Sequence, residues 1–284
     1  MYRYRLGVST PKAIDEEMFK LYSEAGVEQM EVSVNKEQSE ALDYDALLEW
    51  SKKYGVELYS FHLPFMPFDQ IDISRPDIAE KSVEYLKGYI EKGAKIGIDK
   101  YIIHPSGEPI AEEDRPMRME ISKKSLSALA EYAHERGAVI CVENLPRTCL
   151  GRDSEDILDL LSANDKLVAC FDTNHLLDED PLKFIKAVGD KIVTLHVSDY
   201  DFKNERHWLP GEGMVDWNSI LKALSEIGYN GSWLYEINLN APWTIVRPRD
   251  LTYGDFAQNA KELFDGKPLT KISTPVEGLK HWKE

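Results

Sequence analysis

Eight short apolar runs alternate with amphipathic stretches along this chain, and six of them carry a histidine or a carboxylate at or beside their last residue. The runs are Arg5–Ser9, Gln29–Ser33, Glu57–His62, Lys100–His104, Val139–Glu143, Leu167–Asp172, Ile192–Val197 and Ser232–Glu236. The polar endings are His62, His104, Glu143, Asp172, His196 and Glu236. Burying an unpaired carboxylate costs several kcal/mol or forces it neutral, so strands seldom carry one. Six in chain order are explained if the C-terminal ends of the strands converge on one polar site. A closed parallel barrel of alternating strands and helices has that property.

The segments between the runs repeat apolar residues at three- and four-residue spacing, the helical period. Met18, Phe19 and Tyr22 show it, as do Val83, Leu86 and Ile90, and Leu126, Leu129 and Tyr132. Several end on a glycine just before the next strand (Gly26, Gly55, Gly97, Gly137 and Gly228), where a left-handed residue closes a helix. The expected fold is α/β: a single (β/α)8 TIM barrel with parallel strands over residues 1–265 and a short C-terminal tail, 266–284, packed on it. Its 284 residues suit one such barrel, which takes about 250. Two long connections, Leu63–Pro76 and Asn238–Tyr253, leave strand C-termini, where barrel active-site loops sit.

Composition narrows the function. Fifty acidic against 34 basic residues give a net charge of −16, the wrong sign for a surface that neutralises phosphate backbones. Nucleic acid is therefore not expected as a partner. No run of about 18 apolar residues predicts a membrane span, and the first residues lead straight into a strand without a signal-peptide core. The three cysteines, Cys141, Cys149 and Cys170, have no CxxC spacing and read as reduced thiols, so a cytoplasmic location is expected. Cys141 and Cys170 each lie two residues before a strand-end acid and are expected to pack on the same inner side.

Glu143, Asp172, His196 and Glu236 end four successive strands. Neighbouring strands lie about 5 Å apart, so four consecutive ends can encircle one ion. Three carboxylates and an imidazole suit one divalent metal (Mn, Zn, Co or Mg) with positions left for water or substrate. The competing reading pairs these acids with Arg147 or Arg206, which could serve one or two of them but not four. His62 and His104, His175 in DTNH, and Glu205, Arg206, His207 and Trp208 in ERHWLPGEG fall beside the same mouth. With Arg147 they are expected to face substrate. Phe65, Phe68, Trp208 and Trp243 lie on strand-end loops and offer aromatic faces to a sugar.

The motifs HLPF, IHPSG, VENLPR, FDTNH, LHVSD, PGEG and YEI occur in the order seen in the xylose isomerase-like TIM barrel superfamily. More narrowly, the chain resembles its sugar phosphate isomerase/epimerase branch, from the first strand to the eighth. The resemblance implies that Glu143, Asp172, His196 and Glu236 hold one metal, that Glu143 and Glu236 transfer the proton, and that His175 contacts substrate. The same superfamily includes the type IV apurinic endonucleases with three zinc ions. Their nine ligand positions fall on His62, His104, Glu143, Asp172, His175, His196, Glu205, His207 and Glu236, with Glu205 standing where that family has Asp. The acidic chain and the lack of a basic cluster in its loops argue against a nuclease.

The expected function is a divalent-metal-dependent isomerase or epimerase of a ketose or keto-sugar, by proton transfer beside a carbonyl through an enediolate. The alternatives are a metal-dependent lyase or dehydratase on a sugar-derived substrate and an endonuclease-like phosphodiesterase. The expected partner is a small carbohydrate. A homo-oligomer is compatible with the sequence, which leaves subunit number open.

Overall fold

The computed structural model describes residues 2–10 and 14–284. Eight strands form one parallel sheet: β1 (Leu6–Ser9), β2 (Gln29–Ser33), β3 (Glu57–His62), β4 (Lys100–Ile103), β5 (Val139–Glu143), β6 (Val168–Asp172), β7 (Ile192–His196) and β8 (Trp233–Tyr235). From β1 to β7 each pairs with the next in sequence, and β8 pairs with β1. A bridge between Val197 and Tyr235, with the Val197 N–H donating to the Leu234 carbonyl at 2.8 Å, brings β7 against β8 and closes the cylinder. The expected (β/α)8 barrel is the fold found. His104 and Glu236 lie one residue beyond their strands, an ordinary difference in where regular pairing stops.

The outer layer comprises α1 (Glu16–Ala25), α2 (Lys36–Glu40), α3 (Tyr44–Tyr54), α4 (Ala79–Lys95), α5 (Arg115–His134), α6 (Ser154–Leu161), α7 (Pro181–Val188), α8 (Trp217–Glu226) and α9 (Tyr253–Phe264). Asp15, Asp43, Asp153, Asp180 and Asp216 cap α1, α3, α6, α7 and α8, each accepting a backbone N–H. A carboxylate there satisfies an orphan donor and meets the positive helix end, so part of the acidic excess serves the helices. At the other end, Gly26 and Gly55 take the left-handed conformation that closes α1 and α3.

Apolar residues such as Val8, Val32, Phe61 and Phe171 are buried with helix residues such as Phe19, Leu86 and Phe184 in one continuous core. Cys141, Cys170 and Ile102 form a separate small cluster, as expected for inward-facing packing thiols. All three cysteines are free and buried. Among the described residues, no helix is long and apolar enough to cross a membrane.

The tail lies at the barrel mouth. Its strand β10 (Thr274–Pro275) pairs antiparallel with β9 (Ile245–Val246) in the connection after β8. Farther on, the Trp282 N–H donates to the Lys203 carbonyl at 2.9 Å, and Arg206 donates to the Lys280 carbonyl at 3.2 Å. The last residues therefore strap together the connections that follow β7 and β8.

Candidate active site and metal centre

The strand ends converge. Ligand-capable atoms of Glu143, Asp172, His196 and Glu236 lie within 4.8 Å of one another. Two further groups meet the same condition: His62, His104 and Glu143, and His175, Glu205 and His207. Glu143 belongs to two of the three. Its Oε2 lies 3.1 Å from His62 Nε2 and 3.2 Å from His104 Nε2, and its Oε1 lies 3.1 Å from His196 Nδ1.

Two observations show that these groups fit a cation. First, Asp172 Oδ2 and Glu236 Oε2 are buried without a hydrogen-bond partner among the described residues, a costly state for carboxylate oxygens. Burial pushes the Asp172 carboxyl well up, with Glu236 and Glu143 adding to the rise against the pull of His175. Burial also pushes Glu236 up, but His196 and His207 outweigh it and hold its carboxyl down at about 2. Acids driven apart in this way are like charges meeting in one space.

Second, the imidazoles are oriented as ligands are. Nδ1 of His62 lies 3.0 Å from the Leu63 carbonyl, Nδ1 of His175 lies 2.9 Å from the Asn144 carbonyl, and Nδ1 of His207 lies 3.2 Å from the Glu236 carbonyl. A carbonyl only accepts, so Nδ1 carries the proton in each neutral ring and the Nε2 lone pair is left for the site. His196 is turned the other way. Its Nε2 meets Glu31 at 3.0 Å and its Nδ1 faces the acids.

The family model for the xylose isomerase-like TIM barrel matches residues 19–253. The chain belongs to that family. An uncharacterized protein of Methanocaldococcus jannaschii is 26% identical over 194 residues, 65% of this chain and 66% of the relative. A probable endonuclease 4 of Thermoplasma acidophilum is 25% identical over 183 residues, 58% of this chain and 62% of the relative. The chain spans between half and two thirds of the length of these first curated relatives. Among solved structures, a D-tagatose 3-epimerase-like protein superimposes with a TM-score of 0.76 at 22% identity, covering 92% of this chain and 96% of that one. A D-allulose 3-epimerase from Methylomonas sp. in complex with D-allulose gives 0.73 at 19%, covering 94% and 99%. At such identities the structural likeness concerns the fold.

In this xylose isomerase-like barrel the three groups open into a cavity of about 380 Å³, within the usual range of about 300–1,000 Å³ for small-molecule sites. Phe65 and Phe68 line it, and Phe65 stacks on His104 with ring centroids 3.9 Å apart. His62, His104, His175, Arg147, Glu205 and His207, all expected to face substrate, border the cavity as well. Arg206 and Trp208 do not. Arg206, itself buried, is engaged instead in a two-point pair with Asp201 and with the tail. Trp208 is buried, with its indole N–H donating to Thr244 at 3.0 Å. The two bracket His207 in sequence and fix its loop from outside. Trp243, 81% exposed, does not line the cavity.

Arg147 reaches none of the four strand-end acids. It pairs with Glu108 on one side and Glu205 on the other. Asp199, the last residue of LHVSD, and the PGEG turn prove to be scaffold: buried Asp199 accepts from the backbone N–H groups of Tyr200, Gly211 and Val215 and from the Trp217 indole. Gly213 lies so close that a Cβ there would overlap Asp199 and the Tyr200 carbonyl.

Glu31 escaped the sequence reading. It is fully buried inside the barrel on β2, and it is the only carboxylate among the described residues on the Nε2 side of His196. A lone acid in mid-strand invites dismissal. The available signal was Ser9 and Ser60 on the flanking strands, whose hydroxyls both donate to it.

Proposed function

We propose that the protein is a divalent-metal-dependent epimerase or isomerase of a ketose or keto-sugar. The observation that carries this reading is a free carboxylate oxygen, Glu236 Oε2, set beside Glu143, Asp172 and His196 at a cavity of small-molecule size. Two fold neighbours, a D-tagatose 3-epimerase-like protein and a D-allulose 3-epimerase, support the same substrate class.

Glu143, Asp172, His196 and Glu236 would hold the cation, whose donor set of three carboxylates and one imidazole suits Mn²⁺, Co²⁺, Mg²⁺ or Zn²⁺. When bound, the ion polarises the substrate carbonyl and offsets the negative charge that develops as the adjacent carbon loses its proton. Glu236, held ionised by His196 and His207, takes that proton at its other oxygen, Oε1, since Oε2 is the one turned toward the ligand face of His196. Glu143 returns a proton on the opposite face for epimerisation, or at the neighbouring carbon for isomerisation. Phe65 and Phe68 give the sugar an apolar wall and exclude water. Arg147, already engaged by two carboxylates, favours an unphosphorylated substrate, because its guanidinium has no free face for a phosphate.

One observation favours a second reading, hydrolysis of a phosphodiester. Glu143 is contacted by four histidines, leaving neither oxygen clear for a substrate proton, and the His62 and His207 groups could hold further ions. Curated relatives named as probable endonuclease 4 support it. A count of metal in protein never exposed to chelator, with deuterium uptake by ketoses in heavy water and cleavage of abasic DNA assayed in parallel, decides between them. About one ion per chain with deuterium at the carbon beside the carbonyl is the expected result. Cleavage of abasic DNA without exchange into any sugar overturns it.

A further inference from the structure

We infer that Glu31 is the positioning residue that sets which nitrogen of His196 faces the metal ligands, and thereby sets the affinity of the four-ligand group. The inference rests on the reading of that group as a cation site.

His62, His175 and His207 are each held through Nδ1 by a backbone carbonyl. Among the described residues His196 has no such carbonyl on either nitrogen, so no described main-chain group dictates its tautomer. Its ring is fully buried between acids on both edges: Nε2 lies 3.0 Å from Glu31 Oε1, and Nδ1 lies 3.1 Å from Glu143 Oε1 and 3.5 Å from Glu236 Oε2. A neutral imidazole has one N–H, and an ionised carboxylate only accepts. With Glu31 accepting the hydrogen bond from Nε2–H, the proton stays on Nε2 and the Nδ1 lone pair is left for the ion. A carboxylate behind a ligating imidazole also raises its basicity.

Glu31 is itself fixed from both neighbouring strands. Ser9 on β1 donates to Oε1 at 3.1 Å, and Ser60 on β3 donates to Oε2 at 2.8 Å. Three strands thus build a socket for one carboxylate whose remaining contact is the ring on β7. A carboxylate serving packing alone would gain nothing from so buried a place, where an apolar side chain of similar size is at least as stable.

The test is metal binding, which separates this inference from the epimerase reading. Mn²⁺ affinity of the wild type, Glu31→Gln and Glu31→Ala is measured by competition with a chromophoric chelator, beside the melting temperature of each metal-free protein. Loss of about 10–100-fold in affinity is the expected result for Glu31→Ala. Glu31→Gln, whose amide oxygen can still accept from Nε2, should lose less. In Zn²⁺-loaded wild type, nitrogen NMR should show His196 protonated at Nε2, and the pattern should become mixed in Glu31→Ala. Unchanged affinity in both variants overturns the inference, as does a lower metal-free melting temperature at wild-type affinity. If Glu31→Ala does not fold, Glu31→Gln together with the wild-type tautomer decides. If the wild type binds no Mn²⁺, the cation reading fails and this inference with it.

Discussion

Glu143, Asp172 and His196 stand on strand residues that are essentially unexposed, whereas His175, Glu205 and His207 stand on connections beyond the strands. The strand group is positioned by the sheet ladder itself: Asp172 and His196 are register partners in β6 and β7. The loop group depends on side chains. Asn174 accepts the Arg206 N–H at 2.9 Å, Arg206 pairs with Asp201, and the tail carbonyl of Lys280 takes a further N–H from Arg206. His207 is held at a φ of 51°, a left-handed conformation uncommon for residues that carry a side chain. One candidate ligand group is therefore part of the barrel, and the other is a property of its loops and tail. Precision set by backbone pairing should survive changes that loosen the loops.

The largest effect should come from the strand group. Glu236→Gln keeps the shape and removes the basic oxygen, so exchange of solvent deuterium into a turned-over ketose should fall by about 10²–10⁴. Circular dichroism should stay close to wild type, and exchange is compared at saturating Mn²⁺ because Glu236 also belongs to the proposed ligand set. A fall below tenfold would remove Glu236 from the chemistry.

Removing residues 279–284 attacks the loop group alone, since it deletes the tail contacts to Lys203 and Arg206. Lost hydrogen bonds at about 0.5–1.5 kcal/mol each predict a several-fold to tens-fold rise in KM with kcat less affected. Equal losses of kcat and of metal from the strand group would erase the distinction between the two regions.

Gly213→Ala tests the scaffold beneath the loop group. The added methyl meets the buried Asp199 carboxylate and the Tyr200 carbonyl, so a loss of about 1–3 kcal/mol is expected in chemical denaturation. Wild-type stability would show that the loop can shift freely.

The smallest effect is in pH dependence of the metal-free protein. Burial lowers the His175 pKa, but Asp172 and Glu205 outweigh it and raise it to about 10, against about 6.5 unfolded. A raised pKa stabilises the folded state below about pH 6.5, and that contribution is lost as pH rises through about 10. The stability difference between wild type and His175→Gln should shrink over that interval. A constant difference would show that the His175 charge has no part in holding the loops.

Much of this was legible in the chain. The short apolar runs, the period-3.6 patterns between them, the closing glycines and the polar strand endings each follow from local geometry, and together they specify eight βα units with a polar mouth. Residues at strand ends must converge once the barrel closes, which is why Glu143, Asp172, His196 and Glu236 could be grouped before any distance was known. Only the tertiary structure decided which atoms those residues present. It turned Arg206 and Trp208 away from the cavity, tied Arg147 between Glu108 and Glu205, carried the tail across the mouth, and placed Glu31 behind His196. These outcomes depend on partners far apart in sequence, Glu31 and His196 being separated by 165 residues. No local period reports on such a pair, because the cost of burying its charge is settled by whatever the closed barrel brings against it.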